Sequence, residues 1–220
     1  MTREYRNVAR SRSMKKGIVH LFVFDGMADW EAALAVTGIN NPQHQLVPGR
    51  YRVVTVAVSS ALVTTMGGVR IQPDITLSEV TPVASSMLIL PGGESWERGA
   101  NREAIEKARI FMATGVPVAA ICAATGALAG AGLLNDRFHT SNSREYLASN
   151  EYRGARLYCD LPAVTDKNLI TASGVAPVDF AYDIFRMLDL YSDDTLEAWY
   201  GLFKLGDASK YYELARAASR

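Results

Sequence analysis

Apolar and polar positions alternate along the chain in blocks that read as strand, helix, strand, helix. Residues 17–24 (GIVHLFVF) are almost wholly apolar, the pattern of a strand buried on both faces of a parallel sheet. Asp25-Gly26 is a turn signal, and ADWEAALAVTG at 28–38 predicts a helix that stops at Gly38. A polar loop reaches Gly49 before YRVVTVAVS at 51–59 predicts a second strand. VTTMGGVRIQ at 63–72 breaks the alternation and reads as a hairpin around Gly67-Gly68.

The βα pattern then resumes. A short strand at 87–90 closes in Pro91-Gly92-Gly93, and the following helix carries an apolar stripe at Ala104, Ile105, Ala108, Phe111 and Met112. Residues 116–121 form a strand that runs without a linker into Cys122 and the small-residue segment AATGALAGAGLL. RLYCD at 156–160 and NLITA at 168–172 are strand candidates. Pro177 opens a helix with its stripe at Phe180, Ala181, Ile184, Phe185 and Leu188, and 193–218 supply two short helices. This alternation argues for an α/β, doubly wound, mostly parallel sheet with helices on both faces and a β-hairpin excursion, built as one domain over 17–220. Ligands of such sheets gather beyond the carboxyl ends of the strands, where Asp25 to Glu31, Gly92-Gly93 and Cys122 all lie.

Residues 1–16 carry six basic side chains and one acid with no element pattern, so a mobile basic tail is expected there. Over the whole chain, 23 Lys plus Arg balance 23 Asp plus Glu, which gives no field for nucleic acid or an anionic membrane. No apolar run approaches the ~18 to 20 residues of a membrane span, and no secretion signal opens the chain, so a cytoplasmic location is the expectation. Cys122 and Cys159 cannot build a disulfide framework, and no zinc-ligand spacing is present, so neither metal nor organic cofactor is expected. Cys159 reads as structural.

Cys122 is the candidate nucleophile. A nucleophile elbow needs a strand, one strained residue and an immediate helix, with small neighbours; Ala119, Ala120, Ala123 and Ala124 meet that demand. Amides opening the helix favour thiolate and are expected to lower the thiol pKa. The Gly92, Gly93 and Ala123 amides are candidates to hold an oxyanion. Glu31, one turn into the first helix, is placed to share a proton with the sulfur. Trp30 and Trp96 flank the site in sequence and read as pocket walls or as core.

The segments LFVFDGMADWE, LILPGGESW, AAICAATGALAGAGLL, HTSN and LITASGVAPVDFA resemble, in order, those of the ThiJ/PfpI superfamily. That resemblance implies a flavodoxin-like three-layer sandwich, usually dimeric, in which Cys122 matches the elbow cysteine and Glu31 its acidic partner. It implies the oxyanion role for Gly92, Gly93 and Ala123. Members include glutamine-amidotransferase-like proteins, peptidases, glyoxalase or deglycase enzymes, isocyanide hydratases and redox-stress proteins.

The departures narrow the choice. Ala123 stands where peptidase-like members carry histidine, and Asn142 where deglycase-like members carry the histidine of a TTH segment. Only Asp179 is offered where an amidotransferase needs His and Glu. His139 is a candidate substitute; His20 lies inside the first strand and His44 in a polar loop. The expectation is a cysteine-dependent hydrolase or glyoxalase/deglycase-like enzyme acting on a small molecule, with Cys122 and Glu31 as its catalytic pair. Asn142, His139 and Trp96 are its possible pocket residues. The alternative is a non-enzymatic redox protein with an oxidisable Cys122.

Overall fold

The computed structural model describes residues 17–148 and 152–217; the expected basic tail at 1–16 lies outside them. A seven-stranded sheet forms the centre. Its core strands are β1 (Gly17–Phe22), β6 (Met87–Leu90), β7 (Val118–Ile121) and β9 (Leu169–Ala172). β2 (Tyr51–Ala57) and the two-residue β5 (Ile75–Thr76) extend one side, and β8 (Ala163–Asp166) closes the other. The order is β5-β2-β1-β6-β7-β9-β8, parallel throughout except for β8, which runs antiparallel to β9 with Ala163 opposite Ala172. β6, β7 and β9 are buried at every position. Only a sheet covered on both faces can bury such strands completely.

One layer is built from α1 (Asp29–Asn40), which packs on α5 (Pro177–Met187); α5 in turn carries α6 (Asp193–Leu205), and α7 (Lys210–Ala217) packs on α6. The other holds α2 (Arg102–Ala113) and α3 (Ala123–Gly130), both against β7, with the short α4 (Arg144–Ala148) on α3. Gly38 does not stop α1 as expected. It lies inside the helix, where a Cβ would sit 2.3 Å from the Phe185 ring, so the glycine is there to let α5 approach.

The hairpin of β3 (Val63–Thr64) and β4 (Arg70–Ile71) forms around Gly67-Gly68 and is tied to the β1–α1 connection. Asp25 accepts from the Thr64 amide at 2.7 Å, and Asp29 accepts from Thr65 Oγ1 and the Gly67 amide. RLYCD is not a strand. Residues 155–157 form a 3-10 turn and Tyr158 makes only an isolated bridge to His139, while the edge strand is β8, four residues long and ended by the left-handed Lys167. Its shortness and its polar end hid it from the pattern.

Chain order reverses between β1 and β6: after β1 the chain builds outward through β2 and β5, then returns to β1's other edge. A crevice opens at such a switch point beyond the carboxyl ends. Glu31 follows β1 and Gly92 follows β6, the two strands on either side of it; Cys122 follows the adjacent β7.

His20 sits in β1 beside Val54 and Leu88, 2 % exposed, with Nδ1 unpartnered among the described residues. Burial, with help from Arg52 and Lys107, lowers its pKa from 6.5 to about 4. The fold therefore prefers the neutral ring, so this contribution is intact above 6.5 and is lost as pH falls toward 4. Urea denaturation should show wild type losing stability over that interval by up to about 3 kcal/mol more than His20→Leu. Parallel acid limbs in the two proteins would contradict this.

Candidate functional site

β7 ends at Ile121 and α3 begins at Ala123, so Cys122 alone must turn the chain from strand to helix. It does so at φ 58° and ψ −128°, a conformation that costs a non-glycine residue about 1–3 kcal/mol. The surroundings hold it there. Its amide donates to Ala172 O on β9 at 3.0 Å, and its carbonyl accepts from the Thr125 amide at 3.0 Å and from Thr125 Oγ1 at 2.6 Å. Thr125 is itself fixed 2.6 Å from Ser141 Oγ.

Glu31 enters from the first turn of α1 and is 1 % exposed. Its Oε2 accepts from the Gly92 amide at 2.5 Å, and the Gly92 carbonyl accepts from Ala28 at 2.9 Å, which locks the β6 loop to the start of α1. The Gly92 amide is thus already engaged and is withdrawn from the expected oxyanion role. No acceptor takes the Gly93 amide among the described residues, and the Ala123 amide faces the sulfur. Backbone crowds Cys122 from two sides. A Cβ on Gly92 would lie 2.6 Å from Cys122 Cβ, and one on Gly174 would lie 2.7 Å from Sγ and 3.2 Å from Glu31 Oε1. The Gly174 contact escaped the sequence reading; its only trace there was a Ser-Gly pair before the helix opened by Pro177.

Thiol and carboxyl lie side by side, both facing Gly92 and Gly174, and Oε1 has no hydrogen-bond partner among the described residues. Burial raises Glu31 to about 7, against the opposing pull of the Gly92 amide and the Cys122 thiol. Burial and then the Glu31 charge push Cys122 up to about 11, although Asn142 and the Ala123 amide favour its thiolate. The expected lowering by the helix amides is therefore overturned: desolvation and a like charge outweigh them. The resting proton belongs to sulfur, and Glu31 exchanges its own near neutrality.

Asn142 joins the site, its Nδ2 3.5 Å from Cys122 Sγ and its Oδ1 accepting from the Gly174 amide at 2.9 Å. Trp30 is half exposed and donates from Nε1 to Gly174 O at 3.1 Å, so the Gly174 turn is pinned twice. Trp96 is core rather than open wall: it stacks edge-on to Phe24 and donates to Pro91 O, propping the Pro91-Gly92-Gly93 turn from beneath. His139 does not replace the missing histidine. Its Nδ1 donates to Arg137 O at 2.7 Å, and the fully buried ring is enclosed by Tyr152 and Tyr158. Asp179 is bound to Tyr200 and Lys204. Among the described residues, no histidine contact to the thiol is present, and no three His, Cys, Asp or Glu side chains are grouped to hold a metal ion. None of their helices is long and apolar enough to cross a membrane.

A strained cysteine at a strand-helix elbow, beside a carboxyl from the first βα turn, belongs to an α/β class whose chemistry sits at the switch point. The DJ-1/PfpI family model matches residues 18–187, and the chain belongs to that family. It is 38 % identical over 205 residues, 92 % of this chain and 98 % of the other, to the uncharacterized protease YoaZ of Bacillus subtilis. Deglycase PfpI of Pyrococcus furiosus is 36 % identical over 101 residues, covering 46 % of this chain and 61 % of that one. The thiJ/pfpI family protein from Bacillus anthracis superposes with a TM-score of 0.87 at 38 % identity, covering 95 % of this chain and all of that one. The flavodoxin-like fold follows from the sheet and from that likeness.

Replacing Glu31 by Gln keeps an oxygen for the Gly92 amide and removes the charge. Glu31→Gln should lower the thiol pKa by about 1 unit or more, read from the ultraviolet absorbance of the thiolate. Because the fold raises the carboxyl pKa from 4.5 to about 7, wild type loses stability as pH rises through that window. The variant's advantage in urea should be absent at the acid end and open at the alkaline end; a constant difference would show that Glu31 does not titrate as described.

Proposed function

We propose that this protein is a cysteine-dependent enzyme for small carbonyl compounds, of hydrolase or glyoxalase/deglycase-like type, with Cys122 as nucleophile and Glu31 as its proton partner. The observation that carries this reading is a strained thiol set directly against a buried carboxyl that titrates at about 7. As Sγ bonds to the carbonyl carbon, the S–H proton passes to Glu31. The carbonyl π pair moves to oxygen, which the Gly93 and Ala123 amides receive. When the tetrahedral adduct collapses, Glu31 returns the proton to the departing atom. Negative charge travels from Glu31 to the oxyanion, so no free thiolate has to form beforehand.

The resting pair is a thiol beside a carboxylate, so kcat/KM should rise with pH through about 7 as Glu31 ionises. Without histidine, the Cys-His peptidase and amidotransferase readings lose support in this chain, although YoaZ is named a protease. In this reading the protein works in the cytoplasm as a homodimer, in keeping with two free cysteines and with the exposed Trp30, Met66 and Val69. Wild type and Cys122→Ser, compared on dicarbonyls, amides and peptides, should differ by about a thousandfold or more on a dicarbonyl. Equal turnover would end the enzymatic reading.

Asn142 favours a second reading. Its Nδ2, the Ala123 amide and a protonated Glu31 are three donors around the sulfur, a set suited to a Cys122 sulfinate in a redox protein. Mild peroxide should then add two oxygens to Cys122 before Cys159, as seen by mass spectrometry. Earlier oxidation of Cys159 would exclude it.

A further inference from the structure

Two segments that touch Cys122 also touch each other farther out. The first begins at Gly92, packed on Cys122 Cβ, and continues to Glu97. The second begins at Asn142, whose Nδ2 lies 3.5 Å from Sγ, and continues into α4 to Tyr146. Tyr146 Oη donates to Glu97 Oε1 at 3.1 Å, which closes the circuit. The Tyr146 ring lies over α3 at Gly126, four residues beyond Cys122 and so on the same side of the helix. A Cβ there would stand 3.0 Å from the ring and 3.1 Å from Oη. Burial and then the Glu97 charge and hydrogen bond hold the phenol above its usual pKa, so it stays a neutral donor. Gly174 also crowds the sulfur and is held by Trp30 and Asn142.

We infer that the Tyr146–Glu97 pair is a strap that sets the size limit of the Cys122 site, confining it to small carbonyl compounds whose electrophilic carbon lies at or next to a chain end. The inference rests on the reading of Cys122 as the nucleophile and names its substrate class. An extended peptide has to run past the reacting carbon in both directions. Here one direction meets Tyr146 across α3 and the other meets the Gly174 turn. Tyr146 is a specificity-determining residue in this arrangement; it limits what reaches the sulfur.

Alkylation tests this without needing turnover. Iodoacetamide and its bulkier N-phenyl analogue both form an S–C bond with loss of iodide, the thiol proton passing to Glu31 or buffer. Rates at Cys122 are followed by mass spectrometry on the full chain, with Cys159 and the denatured chain as references. Wild type should prefer the small reagent by about tenfold beyond the preference of the denatured chain. Tyr146→Ala should abolish most of that excess, and Glu97→Ala and Tyr146→Phe, which both remove the Oη–Oε1 bond, part of it. Absence of the excess in wild type, or its full retention in Tyr146→Ala, would overturn the inference. Should Tyr146→Ala unfold, seen as Cys159 reacting as in the denatured chain, the exposed Glu97→Ala carries the test, and an unchanged ratio there overturns it. A wild type that keeps the size preference yet turns over no carbonyl compound would refute the enzymatic reading and leave the strap standing.

Discussion

A carboxyl group buried against a thiol is the constraint around which the rest of this site is arranged. Burying Glu31 is tolerable only because Gly92 gives one oxygen an amide partner and the other is set against the Cys122 thiol. Both conditions require close backbone approach, so the neighbours at Gly92 and Gly174 have no side chains. They also require Cys122 to stand at positive φ, because only that turn brings the sulfur off the end of β7 toward α1. The hydrogen bonds of Thr125 and Ala172 to the Cys122 backbone offset the strain.

The sheet topology makes this convergence possible at low cost in chain length. Three successive parallel strands, β1, β6 and β7, deliver a carboxyl, an amide and a thiol to one edge, although they are separated by up to 91 positions in sequence (31 to 122). The hairpin serves the same end from outside. By bonding Asp25 and Asp29 it fixes the β1–α1 connection and hence the direction in which Glu31 enters.

Much of the fold was legible because its signals are local: apolar runs for strands buried on both faces, a 3.6-residue stripe for α2 and α5, and a strand joined to a helix by one cysteine. Cys122 and Glu31 were legible for the same reason, each sitting at a fixed offset from the end of a strand. What escaped depends on contacts distant in sequence. Gly38 reads as a helix stop until Phe185 is brought against it. Gly174 is an ordinary loop glycine until β9 sets it beside the sulfur. Gly92 was assigned to an oxyanion because its amide looked free, yet the carboxyl 61 positions earlier takes it. The direction of the thiol's shift was misread because the helix amides are visible in sequence, whereas desolvation and the facing charge are properties of the packed site.

The absence of a histidine contact among the described residues then becomes part of the site's logic. A histidine beside Cys122 would stabilise a standing thiolate as an ion pair, at the expense of bringing a second charge into a crowded, buried space. Under the proposed mechanism Glu31 works in the opposite sense: it raises the energy of the free thiolate and accepts the sulfur proton only when negative charge has somewhere else to go. A thiol governed in this way is quiet toward solvent and toward substrates that cannot seat an oxyanion on nearby amides. In the mechanism and strap proposed above, selectivity comes from two independent requirements, an oxygen able to take the displaced charge and a molecule small enough to reach the sulfur between the Gly174 turn and α3.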